Sequence, residues 1–237
     1  IGKGRMEEPE NILEIVQDFF VKQDSLSKKK ILITAGPTFE MIDPVRFIGN
    51  YSSGKMGFSL AEECASRGAT VILITGPVSL SVNHPNIKRI DVESADEMYD
   101  VALAEFPSVD AAILCAAVAD FKPSIQYSEK VKRGEDDLVI SLTPNKDIAA
   151  SLGNIKKDNQ RLIGFALETN DEEANALRKI EKKNLDYIVL NSLKDRGAGF
   201  KHDTNKISIF DRNGSCKEFP LKSKKDVASD IIDETLS

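Results

Sequence analysis

The chain has 237 residues, of which 41% are hydrophobic and 30% charged, enough for a substantial core in one large domain or two small ones. Its net charge of −6 argues against a nucleic-acid-binding protein, because such binding depends on clustered, excess Lys and Arg. No apolar run approaches the ~18–20 residues of a membrane-spanning helix, which argues against a membrane protein.

Short apolar runs alternate along the chain with stretches of helical periodicity. The run KKKILITAG is β-branched and ends at a glycine, which is typical of a buried strand. GFSLAEECASRGA has apolar residues at helical spacing and a glycine as its stop signal. The same reasoning predicts, in chain order, a strand at 28–36, a helix at 57–69, strands at 70–79 and 87–94, and a helix with Ser94 as its N-cap. It then predicts a strand that runs into a loop at 110–120, a strand at 161–169, a helix at 171–184 and a strand at 186–191.

This alternation predicts an α/β fold with a Rossmann-like, doubly wound, mostly parallel sheet. Residues 206–221 differ, because they form two alternating runs around Asn213 and Gly214, the favoured pair for a type I′ hairpin turn. We therefore expect an appended C-terminal β-hairpin and a closing helix over 223–237 with Ser223 as its cap. Ligands of doubly wound sheets bind beyond the carboxyl ends of the strands, so functional residues are expected just after each strand.

The loop after the first strand has about twenty residues, well beyond the ~2–6 that are common in α/β units, and a loop of this length is usually functional. Residues 49–55 in this loop have the G-x-x-x-x-G-K spacing of a P-loop. Met56 stands where a P-loop has a Ser or Thr for Mg²⁺, so an ordinary P-loop NTPase is not expected. Ser52, Ser53 and Gly54 favour a phosphate or carboxylate cradle at a helix N-terminus, with a plain glycine-rich helix start as the alternative.

Other polar residues follow the predicted strands. Arg46 can hold a carboxylate or phosphate by two parallel hydrogen bonds, and Asn50 can donate to a developing oxyanion, although each taken alone is more typical of a turn or surface. In AAVADFKP, the small residues Ala116 and Ala117 allow a ligand to approach the backbone. Asp120 is suited to accept hydrogen bonds from ribose hydroxyls, with a turn-forming Asp as the alternative.

Two basic segments are candidates for binding phosphate. Lys130, Lys132 and Arg133 lie in a polar, glycine-containing stretch that is suited to close over a polyphosphate as a mobile flap. Lys179 and Lys183 are four residues apart on one helix face. In both segments, ordinary solvated charge is the alternative interpretation.

The cysteines and the N-terminal residues give few indications of function. Cys64, Cys115 and Cys216 are odd in number and widely spaced, which argues against a disulfide framework or a zinc site. Cys115 lies in an apolar run and is expected to be a buried hydrophobe. No signal peptide is visible, so the cytoplasm is the expected compartment.

Several stretches, taken together and in order, resemble the phosphopantothenoylcysteine synthetase family of coenzyme A biosynthesis. They are ITAGPT, DPVRFIGNYSSGKMG, AAVADFKP, EKVKR, NKDI, GFALET and KKNLDYIVLN, and they extend over about residues 29–195. The leading GKGRMEEPE resembles the end of the flavin-dependent decarboxylase that precedes the synthetase in many bacteria. The resemblance therefore implies a decarboxylase tail and linker helix over 1–27, a synthetase domain over 28–237, and fusion to the decarboxylase in the full-length protein.

The resemblance implies a CTP-dependent ligase. In this reaction CTP, with Mg²⁺, activates the carboxylate of 4′-phosphopantothenate as an acyl-cytidylate and releases pyrophosphate. The amine of L-cysteine then attacks the acyl carbon, which gives 4′-phosphopantothenoyl-L-cysteine and CMP. The resemblance also implies a homodimer, and the C-terminal hairpin is the expected interface.

The family's functional positions can be transferred residue by residue. Lys130 matches the flap lysine that acts in cytidylate formation, Asn50 the asparagine that holds the acyl-cytidylate, and Arg46 the arginine that supports its conversion. The nucleotide-contacting positions fall on Asp120, Lys130, Lys146, Asp147, Ile148, Ala149, Phe165, Lys179 and Lys183. Three positions depart from the usual pattern, because Arg133 replaces a flap lysine, Lys146 replaces a proline and Pro37 stands where glycine is commoner. The resemblance identifies no metal ligands in this sequence.

Two other classes of protein compete with the ligase. An NAD(P)-binding Rossmann oxidoreductase is disfavoured, because G-x-G-x-x-G does not follow the first strand and no Tyr-x-x-x-Lys pair is evident. A non-catalytic binding or assembly module would use the hairpin as a subunit interface and leave the lysines solvated.

Overall fold

The computed structural model describes residues 7–13, 24–134, 137–168, 172–192 and 203–236, and statements about structure refer to these residues. The strands are β1 Lys30–Ala35, β2 Phe39–Asp43, β3 Arg46–Gly49, β4 Thr70–Thr75, β5 Ile87–Asp91, β6 Ala111–Leu114, β7 Phe121–Pro123, β8 Leu142–Pro144, β9 Arg161–Glu168, β10 Tyr187–Ser192, β11 Thr204–Asp211 and β12 Cys216–Ser223. The helices are α1 Lys55–Ser66, α2 Ala95–Glu105, α3 Ile148–Ile155, α4 Glu172–Lys183 and α5 Lys224–Thr235, and residues 9–13 are also helical.

Eight strands form the central sheet in the order β12-β11-β10-β9-β6-β1-β4-β5. The six strands from β10 to β5 are parallel, whereas β11 and β12 are antiparallel to their neighbours. Chain order reverses between β1 and β6, which creates the switch point where ligands of doubly wound sheets bind. The predicted fold class is confirmed, including the appended hairpin.

Side chains of successive residues in β1 point to opposite faces of the sheet and enter two separate cores. Ile31 and Ile33 belong to the core that includes α1 and α5, while Leu32 belongs to the core that includes residues of α2, α3 and α4. Each face is thus covered by helices, which explains why the central strands are apolar throughout rather than alternating. Within the described residues, no helix has both the length and the apolarity needed to span a membrane.

The helix starts are governed by their caps. Ser94 accepts the Glu97 N–H at 3.2 Å in a capping box, and Ser223 accepts the Asp226 N–H at 3.2 Å, as the sequence predicts. Helix α1 starts at residue 55, two residues before the predicted start, because Gly54 is its N-cap with φ of 76°.

Three segments differ from the prediction. The long first loop contains the β2–β3 hairpin, and a second small hairpin pairs β7 with β8. By contrast, the segment 110–120 is a strand that runs into a loop after Leu114, as predicted. The expected type I′ turn at Asn213–Gly214 is wrong, because only Gly214 has positive φ and its N–H donates to the Asp211 carbonyl at 3.2 Å. This pattern is typical of a longer loop that closes through a left-handed glycine.

Candidate active site

The loops after β1 and β6 are joined at the switch point by backbone hydrogen bonds. The Ala117 N–H donates to the Gly36 carbonyl at 2.8 Å, and the Ala116 N–H donates to Thr34 Oγ1 at 3.2 Å. Both N–H groups are therefore engaged within the protein. Ala116 and Ala117 can contribute space for a ligand through their small side chains, but they do not offer free N–H donors for a phosphate.

Asn50 links the end of the β2–β3 hairpin to the loop after β6. Its Nδ2 donates to the Val118 carbonyl at 3.0 Å and lies 3.4 Å from the Ala117 carbonyl. The amide is thereby held at the switch point, close to where the loops on either side of the sheet centre meet. The role of Asn50 beside an acyl group stays a prediction.

Arg46 and the flap are connected through Asp43, a buried residue that the sequence analysis did not single out. One carboxylate oxygen of Asp43 accepts hydrogen bonds from Arg46 Nε at 3.0 Å and from the Val131 N–H at 3.1 Å. The other oxygen accepts the backbone N–H groups of Val45 and Arg46, each at 2.9 Å. Arg46 also donates to the Val131 carbonyl at 2.9 Å. We call this set, comprising Asp43, Arg46 and Val131, the flap latch.

The latch has two consequences for the site. The guanidinium of Arg46, together with the backbone donors, holds the pKa of Asp43 well below its usual range, despite the opposing effect of burial. Val131 lies between Lys130 and Lys132, so the latch anchors the basic flap to the first-loop hairpin of the same chain. Lys130, Lys132 and Arg133 are themselves exposed.

A second group of predicted residues converges around the start of α3. The Asn145 N–H donates to the Asp120 carbonyl at 2.9 Å, and Asn145 Nδ2 donates to the Ala119 carbonyl at 2.8 Å. Asp147 caps α3 by accepting the Ala150 N–H at 3.0 Å. These bonds bring the β6 loop and the predicted nucleotide-contacting turn together, while the Asp120 carboxylate remains exposed.

Lys183 reaches this turn from α4. Its ammonium lies 3.0 Å from the Asp147 carboxylate. Burial raises the pKa of Asp147, but the Ala150 N–H and Lys183 outweigh this effect and leave the pKa below its usual value. Lys179 lies one turn earlier in the same helix and is partly exposed.

Lys146, which stands in place of a proline, is anchored to α2. Its ammonium lies 4.6 Å from the centre of the Tyr99 ring and 3.8 Å from carboxylate oxygens of Asp96 and Asp100. A cation over an aromatic face is attractive, and the two carboxylates add to the attraction. The turn thus has a side-chain anchor in place of the rigidity that proline would supply.

The remaining residues predicted to contact the nucleotide do not all lie on the same face of the sheet. Ile148 is 7% exposed and packs in the core, so its main chain rather than its side chain is available to a nucleotide. Ala149 is partly buried in the same core. Phe165 packs against the core on the opposite face of the sheet, which includes α1 and α5. The structure does not bring the Phe165 side chain together with the Asp147–Lys183 pair.

The predicted cradle residues lie at the N-terminus of α1. Ser52 Oγ accepts the Gly54 N–H at 3.3 Å, and no side chain caps the helix. Ser53 precedes this glycine. Met56 is 8% exposed and packs in the core, so it does not face a bound metal as a P-loop hydroxyl would. Lys55 forms an ion pair with Asp203 at 2.5 Å.

Sequence reasoning missed Asp43, Asn145 and Lys224 as members of the site region. The pair Asp43-Pro44 was a turn signal, but it gave no sign of a contact with the flap 88 residues later. Asn145 stands in the NKDI stretch and Lys224 in the predicted closing helix, but neither was singled out, since their contacts arise only from the tertiary fold.

The comparisons with known proteins agree with the fold. The chain matches the DNA/pantothenate metabolism flavoprotein C-terminal domain family over residues 26–237. A protein from an unknown prokaryotic organism, named cysteine/cysteine sulfinic acid decarboxylase, is 53% identical over 240 residues, which cover 100% of this chain and 67% of that protein. The coenzyme A biosynthesis bifunctional protein CoaBC of Bacillus subtilis (strain 168) is 46% identical over 236 residues, covering 99% of this chain and 58% of that protein.

A solved structure extends this similarity to three dimensions. The crystal structure of the C-terminal domain of a coenzyme A biosynthesis bifunctional protein CoaBC has a TM-score of 0.75 and 41% sequence identity, and the match covers 89% of this chain and 95% of that one. The chain spans 58% of the length of the Bacillus relative and 67% of the other. These two relatives are named for different activities although both share this segment, so the segment's activity has to be argued from its own residues.

Proposed function

The chain belongs to the DNA/pantothenate metabolism flavoprotein C-terminal domain family, and we propose that it joins 4′-phosphopantothenate to L-cysteine at the expense of CTP. The observation that carries the proposal is the convergence of Asn50, the Asp120 loop and the latched flap at one edge of the sheet. Such a site can align a carboxylate with a nucleotide phosphate and surround both with positive charge.

The first step forms a bond between a carboxylate oxygen of 4′-phosphopantothenate and the α-phosphorus of CTP. The bond from that phosphorus to the β-phosphate bridging oxygen breaks, and pyrophosphate leaves. Negative charge grows on the phosphate oxygens as this occurs. Lys130, anchored next to Val131 of the latch, is the proposed donor to this charge.

The second step joins the cysteine amine to the acyl carbon, and CMP leaves with the electrons of the acyl–oxygen bond. The amine loses a proton to solvent. Asn50, held by the Val118 carbonyl, is proposed to retain the acyl-cytidylate, and Arg46 to support its conversion. Asp120, Lys146, Asp147, Lys179 and Lys183 are proposed to contact the nucleotide, with Ile148 and Ala149 acting through their main chain.

Magnesium is proposed to enter with the nucleotide. Mg²⁺ keeps several waters and commonly binds through substrate phosphates rather than in a cage of protein ligands. In the described part of the chain, no three His, Cys, Asp or Glu residues cluster as a metal site, which fits entry of the ion as a CTP chelate. Its chemistry there would be to neutralise phosphate charge.

The assay mixes the protein with Mg²⁺, CTP and 4′-phosphopantothenate, with and without cysteine, and follows pyrophosphate release and product mass. We expect release without cysteine to stop after the bound intermediate forms, and turnover to require cysteine. No pyrophosphate release would refute the ligase. Equal kcat/KM values with ATP and CTP would refute only the assignment of CTP as the nucleotide. Release of CO₂ from cysteine or cysteine sulfinate without nucleotide would instead favour the activity named for the other relative.

Two variants separate the proposed steps. Lys130→Gln is expected to slow acyl-cytidylate formation by roughly 10²-fold, because it removes one donor to developing charge. Asn50→Asp is expected to form the intermediate but retain or use it poorly. Lys157→Gln, an exposed lysine beyond α3, is the control for loss of a positive charge. Identical intermediate profiles for the first two variants, measured by mass spectrometry, would contradict the division of roles.

We also propose a homodimer in the cytoplasm, where CTP is available. The sequence-based expectation was an interface at the C-terminal hairpin, where Leu221 is 48% exposed on the edge strand β12. A larger set of exposed apolar side chains lies on the first-loop hairpin and the flap region. It includes Phe47, Tyr51, Phe121, Ile125, Tyr127 and Val139.

A large exposed apolar surface usually marks a contact site, so the second surface is favoured for a partner copy. Light scattering of the Val139→Ser/Ile125→Ser and Leu221→Ser variants tests the choice. We expect the double variant, and not the hairpin variant, to shift the protein toward a monomer. An active, monomeric wild-type protein would refute the proposed homodimer.

The relatives' name supports fusion to a further catalytic domain in the full-length protein.

A further inference from the structure

Two lysines beside the turn that precedes α3, residues 145–147, reach the same carboxylate on α2. Lys122 lies on β7 and is paired with Thr143 of β8, the strand that leads directly into the turn. Lys146 lies within the turn itself. The ammonium of Lys122 donates to Asp96 Oδ2, and the ammonium of Lys146 lies 3.8 Å from Asp96 Oδ1. Asp96 therefore holds both the hairpin that leads into the turn and the turn itself.

The start of α2, which carries Asp96, is itself fixed to the rest of the fold. Asp96 is the second residue of the helix, a position where the helix dipole stabilises a carboxylate. The N–H of the preceding residue, Ala95, donates at 3.0 Å to the buried carboxylate of Glu40 on β2, and Ser94 caps the same helix. Asp96 is thus a rigid support to which the two lysines can be anchored.

The carboxylate of Asp96 depends on both lysines. Its Oδ1 is buried and accepts no hydrogen bond among the described residues, so the Lys146 ammonium compensates this oxygen electrostatically. The hydrogen bond from Lys122 is the main reason that the pKa of Asp96 lies below its usual value, and the charge of Lys146 adds to this effect against the opposing burial. Without the Asp96 charge, the two lysines would lose the carboxylate that they share.

The turn needs such an anchor because of the residue at position 146. Proline is usual here in the family that the sequence resembles, and a proline ring fixes φ of its own residue. A lysine leaves that dihedral angle free, so the turn can sample more conformations in the free protein. Contacts of the Lys146 side chain with α2 restrain the same residue from outside the backbone.

We propose that Asp96 is a positioning residue for nucleotide binding, which acts through Lys122 and Lys146 to fix the turn that presents Asp147 and the start of α3. The inference rests on the proposed function for the identity of the ligand, a cytidine nucleotide. The restraint of the turn, in contrast, is a property of the free protein. A turn that is ordered in advance loses less conformational freedom when the nucleotide binds. Loss of Asp96 therefore weakens nucleotide binding and leaves the chemical step unchanged.

Hydrogen exchange of the free protein tests the restraint without any ligand. The reporter is the Asn145 N–H, which donates to the Asp120 carbonyl at 2.9 Å. Asp96→Asn keeps the side-chain shape and removes the charge. Glu105→Gln is the matched control, because Glu105 is on the same helix and pairs with Lys88 at 2.9 Å, away from the turn. Partly exposed ion pairs are weak individually, so we expect about three- to tenfold faster exchange in Asp96→Asn and less than twofold in the control.

Steady-state kinetics test the consequence for the nucleotide. We expect Asp96→Asn to raise the KM for CTP by about three- to tenfold, while kcat and the KM for 4′-phosphopantothenate change less than twofold. Asp96→Glu keeps the charge and is expected to recover part of the CTP affinity. In a Lys146→Pro background the ring restrains the turn, so Asp96→Asn is expected to raise the KM less than half as much as it does in wild type.

The outcomes separate this proposal from the proposed function. Unchanged exchange at Asn145 in a folded Asp96→Asn protein would overturn the proposal, even if the ligase is active. Faster exchange with an unchanged KM for CTP would also overturn it, because the contacts of Asp96 would then be structural only. An undiminished effect of Asp96→Asn in the Lys146→Pro background would show that Asp96 does not act through the turn. Faster exchange in a protein that neither binds CTP nor has ligase activity would uphold the restraint of the turn and refute only the proposed function.

Discussion

Replacement of Asp43 by Asn is expected to release the basic flap without disturbing the fold. Asp43 is fully buried and accepts the Val131 N–H at 3.1 Å and Arg46 Nε at 3.0 Å on one carboxylate oxygen. In Asp43→Asn the other oxygen can still accept the Val45 and Arg46 N–H groups that shape the local turn. The new NH₂ would then face the donors of Arg46 and Val131, and the hydrogen bonds to the replaced oxygen would be lost.

The size of this effect follows from the number of hydrogen bonds that join Asp43 and Arg46 to Val131 of the flap. One charge-assisted hydrogen bond, from Val131 to Asp43, is lost directly, and the Arg46 bond to the Val131 carbonyl loses its orienting carboxylate. A hydrogen bond to a charged group changes an equilibrium by roughly ten- to a hundredfold. We therefore expect the open flap to become ~10–100 times more populated in Asp43→Asn.

Hydrogen exchange and transient kinetics measure this change. The Val131 amide is expected to exchange ~10–100 times faster, and acyl-cytidylate formation to slow by a similar factor. Glu40→Gln is the control, because Glu40 is buried on the same strand but accepts the Ala95 N–H at 3.0 Å, away from the flap. An unchanged exchange rate and an unchanged first step in a folded Asp43→Asn protein would refute the latch.

The latch also predicts a pH dependence. The pKa of Asp43 is lowered from 3.8. Its contribution to holding the flap is therefore complete above about pH 4 and is lost only as the pH falls through the lowered pKa. Protection of the Val131 amide, after correction for intrinsic exchange, is therefore expected to be constant between about pH 5 and pH 8. Loss of protection near neutral pH would show that another group holds the flap.

Three further changes test the packing around the site. Gly57→Ala is expected to destabilise the protein by about 1–3 kcal/mol in denaturant unfolding, because the new Cβ would lie 2.5 Å from the Ala35 Cβ; an unchanged midpoint would contradict this close approach. Ser223→Ala is expected to cost about 1 kcal/mol of stability by removing the α5 cap, and a neutral effect in thermal unfolding would contradict that role. At pH 8, a thiol reagent is expected to label exposed Cys216 well before Cys115, whose pKa burial raises to about 12; equal labelling by mass spectrometry would show that the Cys115 environment opens.

The fold followed from sequence because its main signals are local. Apolar runs such as ILITA and VILIT are long enough to fill a strand buried on both faces, and Ser94 and Ser223 supply caps at fixed offsets. The hairpin pairing β2 with β3 was not found, because only four paired positions and a register shift define it. The turn at Gly214 was misjudged, because Asn-Gly is compatible with more than one loop length.

The sequence by itself determined the layered α/β fold, the edge of the sheet to inspect, and the candidate residues Asn50, Arg46 and Lys130 through their order along the chain. Only the tertiary structure decided which groups meet. It showed that buried Asp43 fastens the flap, that the N–H groups after β6 are already occupied, and that Lys224 lines the same cleft as the start of α1. Secondary structure is encoded by neighbours in sequence, whereas these contacts join residues many positions apart whose pairing depends on how the whole sheet is wound.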